Sequence, residues 1–153
     1  MISPITSEPA LKKRKTNEDY KFCPIIEGKL YLGSKHAAED RDLLLEHRIT
    51  HILNVTNTIP CHFEEDFTYK KIPVSNRELE IVKRFEEAIQ FIEEGERVFV
   101  HCRRGVNRSA SMVIAYLIRS RSFSYQEAHD FVQARKANIH PHRVFQEKLI
   151  GFS

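Results

Sequence analysis

The stretch HCRRGVNRS, His101 to Ser109, gathers a cysteine, a histidine and three arginines around a single glycine. It joins the apolar run Val98-Phe99-Val100 to a second apolar segment, Ala110 to Ile118. Cys102 to Arg108 therefore reads as a Cys-x5-Arg loop between a buried strand and a buried helix. A loop of this length can curl until its backbone N–H groups converge on one centre. Gly105 lets the chain bend and approach a ligand with no Cβ in the way. The helix beginning near Ser109 adds unpaired N–H groups and a partial positive charge. Together these features make a cradle for a tetrahedral anion such as phosphate. Arg108 can grip two phosphate oxygens with its planar fork, where a lysine would offer a point charge. Cys102 sits at the floor, in a positive field that favours thiolate over thiol. A thiolate beneath a phosphoryl group is a nucleophile aimed at phosphorus.

The elements that must position this loop are legible from hydrophobic spacing. Ile25-Ile26 and Leu30-Tyr31-Leu32 flank Glu27-Gly28-Lys29, which predicts a hairpin closed at glycine. Residues 36–47 read as a helix with Ala37, Leu44 and Leu45 inward. Residues 50–56 and 67–74 read as strands. Over 80–94, Ile81, Phe85, Ala88, Ile89 and Ile92 share one helical face, and Gly95 ends the helix. Residues 97–101 form the next strand. Residues 109–120 are apolar nearly all round, so that helix should be central. Helices near 124–137 and 142–150 follow, with Ala128, Phe131 and Val132, then Phe145 and Leu149, inward. Strands alternating with helices predict an α/β fold, a central, mainly parallel sheet flanked by helices. Ligands of such sheets bind outside the carboxyl ends of the strands, and HCRRGVNRS begins at one of those ends.

At 153 residues the chain fits one domain, expected over residues 21–153 behind a polar, aperiodic tail at 1–20. Within the first fifteen residues Lys12, Lys13, Arg14 and Lys15 face one acid, Glu8. This excess accounts for the net charge of +3, so the rest is balanced, which argues against broad nucleic-acid binding. The basic cluster reads as a nuclear localisation signal or, equally, as a solvated tail. No apolar run approaches the ~20 residues that span a bilayer, and MISPITSEPALKKRK has no hydrophobic signal core. The expectation is a monomer in the cytoplasm or nucleus with no membrane partner. Cys23, Cys61 and Cys102 form an odd, sparse set that suits neither a disulfide framework nor a zinc site. Cys23 and Cys61 read as spectators.

HCRRGVNRSASMVIAYLI resembles the signature of the dual-specificity phosphatases, a branch of the cysteine-dependent protein tyrosine phosphatases. The likeness extends over about 24–152, through LYLGSKHAAEDRDLLLEHRITHILNVT, YKKIPV, IVKRFEEAIQFIEEG and SYQEAHDFVQARKANIHPHRVFQEKLIGF. It implies a protein tyrosine phosphatase-like fold, no metal and no organic cofactor. By that likeness Cys102 attacks phosphorus and carries a phosphocysteine, Arg108 stabilises the transition state, and Ser109 donates to the departing sulfur. His101 supports the loop and helps hold Cys102 as thiolate. The amides of Arg103, Arg104, Gly105, Val106, Asn107 and Arg108 bind phosphoryl oxygens. Plainer readings stand beside these: a helix N-cap for Ser109, a satisfied core histidine for His101, a solvated rim for Arg103 and Arg104.

The chain departs from the family after YKKIPV. The aspartate that protonates the leaving oxygen falls here on Ser75 or Asn76, and neither is an acid. Glu78 is the candidate substitute, with Glu80 beside it. Asp66 lies a strand away, about eight residues at ~3.3 Å each. General acid catalysis is worth ~10²–10⁴-fold, so substrates with good leaving groups should suffer least. The expected function is hydrolysis of phosphate monoesters on phosphoproteins, biased toward phosphotyrosine. An RNA 5′-triphosphatase or polyphosphate-directed activity is the alternative that Asn107, the arginine pair and the missing acid suggest. A non-catalytic phosphate-binding module is the third, against which the intact Cys102 counts.

Overall fold

Alternation of side chains along three short parallel strands builds the core of this protein. The structure is a computed structural model and describes residues 15–16 and 18–153. Lys12, Lys13 and Arg14, and most of the expected 1–20 tail, lie outside the described residues. The elements run β1 (Phe22–Ile26), β2 (Leu30–Gly33), α1 (Lys35–Ala38), α2 (Arg41–Glu46), β3 (His51–Asn54), β4 (Thr68–Lys71), α3 (Ile81–Glu94), β5 (Val98–His101), α4 (Arg108–Arg121), α5 (Tyr125–Arg135) and α6 (Arg143–Ile150). The sheet order is β1-β2-β5-β3-β4. β1 and β2 pair antiparallel, and the other three pairings are parallel. The mainly parallel α/β sandwich expected from the spacing is therefore the one observed.

β5 lies at the centre, and all four of its residues are buried. Successive side chains of a strand point to opposite faces. Val98 and Val100 join the large core with Leu30, Leu32, Leu53 and α3 to α6, and Cys102 continues that alternation. Phe99 faces the other way, into a smaller cluster with Tyr31, Ile52, Leu44 and Phe67. Residues Ser109 to Ile118 of α4 are all buried, which makes it the central helix its composition demanded. Ile81, Phe85, Ala88, Ile89 and Ile92 line the inner face of α3 as spaced.

Several boundaries differ from expectation for physical reasons. The single helix expected over 36–47 is two, because Asp40 caps α2 by accepting from the Leu43 N–H at 3.2 Å. Leu44 is then buried and Leu45 faces solvent. β4 stops at Lys71, two residues short of Pro73, which has no N–H to give a ladder. Gly95 does end α3, but its φ is −82°, so left-handed freedom is not its use. A Cβ there would crowd Val98 and His51. Phe131 is only half-buried, with the Arg135 guanidinium 3.6 Å from its ring centroid. Gly28 closes the hairpin at φ +81°, a conformation costly to other residues.

Candidate active site

The loop after β5 is assembled by turning its carbonyls outward. The Cys102 carbonyl lies 3.2 Å from His101 Nδ1. The Arg103 carbonyl accepts from the Lys35 N–H at 3.0 Å, the Val106 carbonyl from the His140 N–H, and the Asn107 carbonyl from the Ser111 N–H at 2.9 Å. With these carbonyls committed to the surroundings, the Gly105 amide turns into the curl. The Gly105 N–H donates to Cys102 Sγ at 3.3 Å. Gly105 has φ +73°, and a Cβ on it would collide with the Gly33 carbonyl. Glycine is required at 105 on both counts, and β2 is pressed against the loop as a result.

Cys102 is 2% exposed, but its sulfur is not wholly surrounded by aliphatic carbon. Besides the Gly105 amide, Ser109 Oγ lies 3.1 Å away. The N-cap reading of Ser109 does not hold. Asn107 occupies that position without a side-chain cap, and Ser109 lies inside the first turn, fully buried. Arg108 opens α4, and its Nη1 donates to the Val74 carbonyl at 3.3 Å. It lines a cleft of about 240 Å³ with Asn57, Pro73, Val74, Ser75 and Glu78. Arg103 and Arg104 are exposed at the rim, with Arg103 Nη2 3.4 Å from Thr58 Oγ1.

Asn107 links three elements. Its Nδ2 donates to Asn76 Oδ1 at 3.1 Å, and its Oδ1 accepts from the His142 N–H at 2.7 Å. The segment after β4 is thus tied to the anion loop through two amides. Glu78 shares the cleft with Arg108. Its Oε2 accepts from the Glu80 N–H at 3.2 Å and lies 3.7 Å from Arg84 Nε. Asp66 is bound elsewhere, by Arg41 at 2.8 and 3.0 Å, and this guanidinium holds its carboxyl below the usual range. Cys23 is a buried free thiol that burial pushes up, and Cys61 is also free.

His101 is buried and stacked on Phe99, with Nε2 unpartnered. Burial pushes its imidazole down to about 4, while the bond to the Cys102 carbonyl acts weakly in the opposite direction. At neutral pH it is uncharged, so it orients the loop through Nδ1 rather than through a positive charge. The folded state therefore binds fewer protons than the unfolded state between about pH 6.5 and 4. This contribution to stability is complete above 6.5 and is lost as pH falls toward 4. Denaturant titrations should show wild type losing stability between pH 7 and 5, and His101→Gln losing less. Equal slopes would remove His101 as the cause.

The structure places Gly105 and Ser109 against the Cys102 sulfur and sets Arg108 on the Val74 carbonyl, in the cleft with Glu78. Sequence spacing missed Gly33 of β2 and Lys35 of α1, which brace the loop, and the Asn76–Asn107 link. The Gly-Ser pair at the end of β2 was the available signal for the first, since a close backbone approach needs glycine.

The sequence model for "Dual specificity phosphatase, catalytic domain" matches residues 30–153. The chain belongs to that family. Dual specificity protein phosphatase 1 of Homo sapiens is 42% identical over 128 residues, covering 80% of this chain and 35% of the relative. Dual specificity protein phosphatase 2 of Homo sapiens is 44% identical over 128 residues, covering 80% and 41%. The chain thus spans well under half the length of these relatives. Among solved structures, DUSP15 superposes with TM-score 0.78 at 30% identity, over 85% of each chain. The human tyrosine phosphatase-like serine/threonine/tyrosine-interacting protein gives 0.76 at 29%, over 84% of this chain and 92% of that one. In this chain the loop carries Cys102, Gly105, Arg108 and Ser109, with the Cys102 sulfur between the Gly105 N–H and Ser109 Oγ.

Proposed function

We propose that this domain is a cysteine-dependent phosphatase that hydrolyses phosphate monoesters of phosphoproteins through a phosphocysteine. The observation that carries the reading is the sulfur of Cys102, held between the Gly105 N–H and Ser109 Oγ at the floor of a loop whose carbonyls are bound from outside. The sulfur bonds to phosphorus as the ester P–O bond breaks, and the departing oxygen takes a proton from solvent, to which the attacking water returns one in the second step. Water then attacks phosphorus, the S–P bond breaks, and the sulfur leaves as thiolate. Ser109 is placed to donate to it. The Arg108 fork and the loop amides hold the oxygens whose charge grows in both transition states.

By the resemblance the family's acid falls on Ser75 or Asn76, and Asn107 holds Asn76 beside the loop. An amide cannot protonate a leaving oxygen. Aryl phosphates, including phosphotyrosine, leave with little help, whereas an alkyl serine oxygen needs the proton. The kcat/KM for phosphotyrosyl peptides should exceed that for matched phosphoseryl peptides by about 10²-fold or more, within the range general acid catalysis supplies. Equal rates would overturn the missing-acid reading, and inertness toward both, with phosphate still bound, would overturn the phosphatase reading in favour of a binding module. A second reading, action on phosphoanhydrides such as triphosphate-ended RNA, is supported by the exposed Arg103 and Arg104 at the rim. It predicts faster release of the terminal phosphate than turnover of either peptide.

A further inference from the structure

Lys136 follows α5 and is fully buried. Lysine is almost never enclosed without a pairing group, and a buried charge carries a desolvation cost that only a counter-charge or hydrogen bonds offset. The Lys136 Nζ donates to the Asn138 side-chain oxygen at 2.7 Å and lies 5.6 Å from the Tyr20 ring centroid. Among the described residues, no carboxylate is among the charges that act on it. Those are Cys23 from β1, Cys102 from the loop floor, and Arg104 from the loop rim. Lys15 lies 5.8 Å from the Tyr20 ring centroid and acts on Cys23. The chain that continues from Lys136 is laid against the back of the anion loop, with the His140 N–H on the Val106 carbonyl and the His142 N–H on Asn107 Oδ1.

Among the described residues this buried cation has no acidic partner, and it is set behind a cradle that suits anions. We infer that Lys136 is a positioning residue whose counter-charge is the anion in the loop, so that oxyanion binding at Cys102–Arg108 and protonation of Lys136 are coupled. The inference rests on the phosphate-binding part of the proposed function and not on turnover. Burial already pushes the ammonium down to about 8, against the pull of the two sulfurs. An oxyanion in the loop would favour the charged form. Binding then takes up protons near and above pH 8, and affinity falls as pH rises through that region.

The test uses tungstate, a dianion across pH 7–10, titrated calorimetrically into the full chain carrying Cys102→Ser. This substitution removes any titration of the nucleophile itself. Tungstate affinity should drop about tenfold between pH 8 and 9.5, the loss expected of one coupled proton. Measurements in two buffers of different ionisation enthalpy at pH 8.5 should show proton uptake. Adding Lys136→Met should weaken tungstate binding about tenfold at pH 7 and flatten its pH dependence, as expected when a coupled charge is removed. Its melting temperature without tungstate should be equal or higher, since an apolar chain replaces a buried charge. Lys136→Arg, charged throughout, should bind with no pH dependence. Zero proton uptake, a pH-independent parent, or undiminished affinity in Lys136→Met would each overturn the inference. Because none of these readouts is turnover, an inert wild type would sink the phosphatase reading and leave this one standing.

Discussion

Cys102→Ser should lose hydrolysis of an aryl phosphate by about 10⁴–10⁶-fold, the scale seen when a nucleophile is removed from a preorganised site, while still binding oxyanions. The two halves of this expectation come from different atoms. Turnover needs an ionised sulfur, and a serine hydroxyl at the same place has neither the acidity nor the nucleophilicity to replace it. Binding needs the convergent amides, the Arg108 fork and the start of α4, none of which the change touches. The loop carbonyls remain tied to Lys35, His140 and Ser111, and Gly105 remains pressed against Gly33. The loop should therefore keep its shape with oxygen in place of sulfur. Two measurements check this: steady-state hydrolysis, and capture of a phosphoenzyme by rapid acid quench. Wild type should yield a phosphoenzyme and Cys102→Ser none. Residual turnover within tenfold of wild type would place the nucleophile elsewhere. Loss of oxyanion binding in parallel would mean that the sulfur holds the loop together rather than reacting.

The loop was legible in the sequence because its parts are local. Strand, cysteine, glycine, arginine, serine and helix follow one another within about a dozen residues, and each has a distinct chemical use. The inward faces of α3 and α4 were legible for a similar reason, since a 3.6-residue period needs no tertiary information. What was not legible depends on residues far apart in the chain. Nothing near Lys136 announces that its ammonium will be enclosed against Tyr20 and Asn138. Nothing near Asn107 announces that its amide will meet Asn76, 31 positions away. Ser109 was ambiguous between cap and donor because both roles suit a hydroxyl at a helix start, and only the helix beginning at Arg108 decides between them. The break between α1 and α2 was available in principle. Asp40 followed three residues later by Leu43 is a cap waiting to form, but the apolar spacing on either side masked it.

The Asn107 link also sets the second large effect, a gain of function from Asn76→Asp. Asparagine and aspartate are nearly isosteric, and Oδ1 of an aspartate at 76 can still accept from Asn107 Nδ2, which now lies 3.1 Å from Asn76 Oδ1. The substitution should install a carboxyl beside the loop without rebuilding the segment. Hydrolysis of phosphoseryl and other alkyl phosphates should rise by about 10²–10⁴-fold, with a smaller rise for aryl phosphates, whose leaving oxygens need less help. The pH–rate profile should acquire a falling alkaline limb, because the new group acts only while protonated. Glu78 is the rival source of the proton, since it shares the cleft with Arg108. Its Oε2, however, already accepts from the Glu80 N–H and lies 3.7 Å from Arg84 Nε. If Glu78 serves, Glu78→Gln should lose most of the wild-type rate and Asn76→Asp should restore it. If it does not, Glu78→Gln should match wild type at every pH, and the gain in Asn76→Asp should persist in the double variant. No gain on alkyl phosphates in either background would show that Asn76 does not face the leaving oxygen, and the segment after β4 would then have no part in the chemistry.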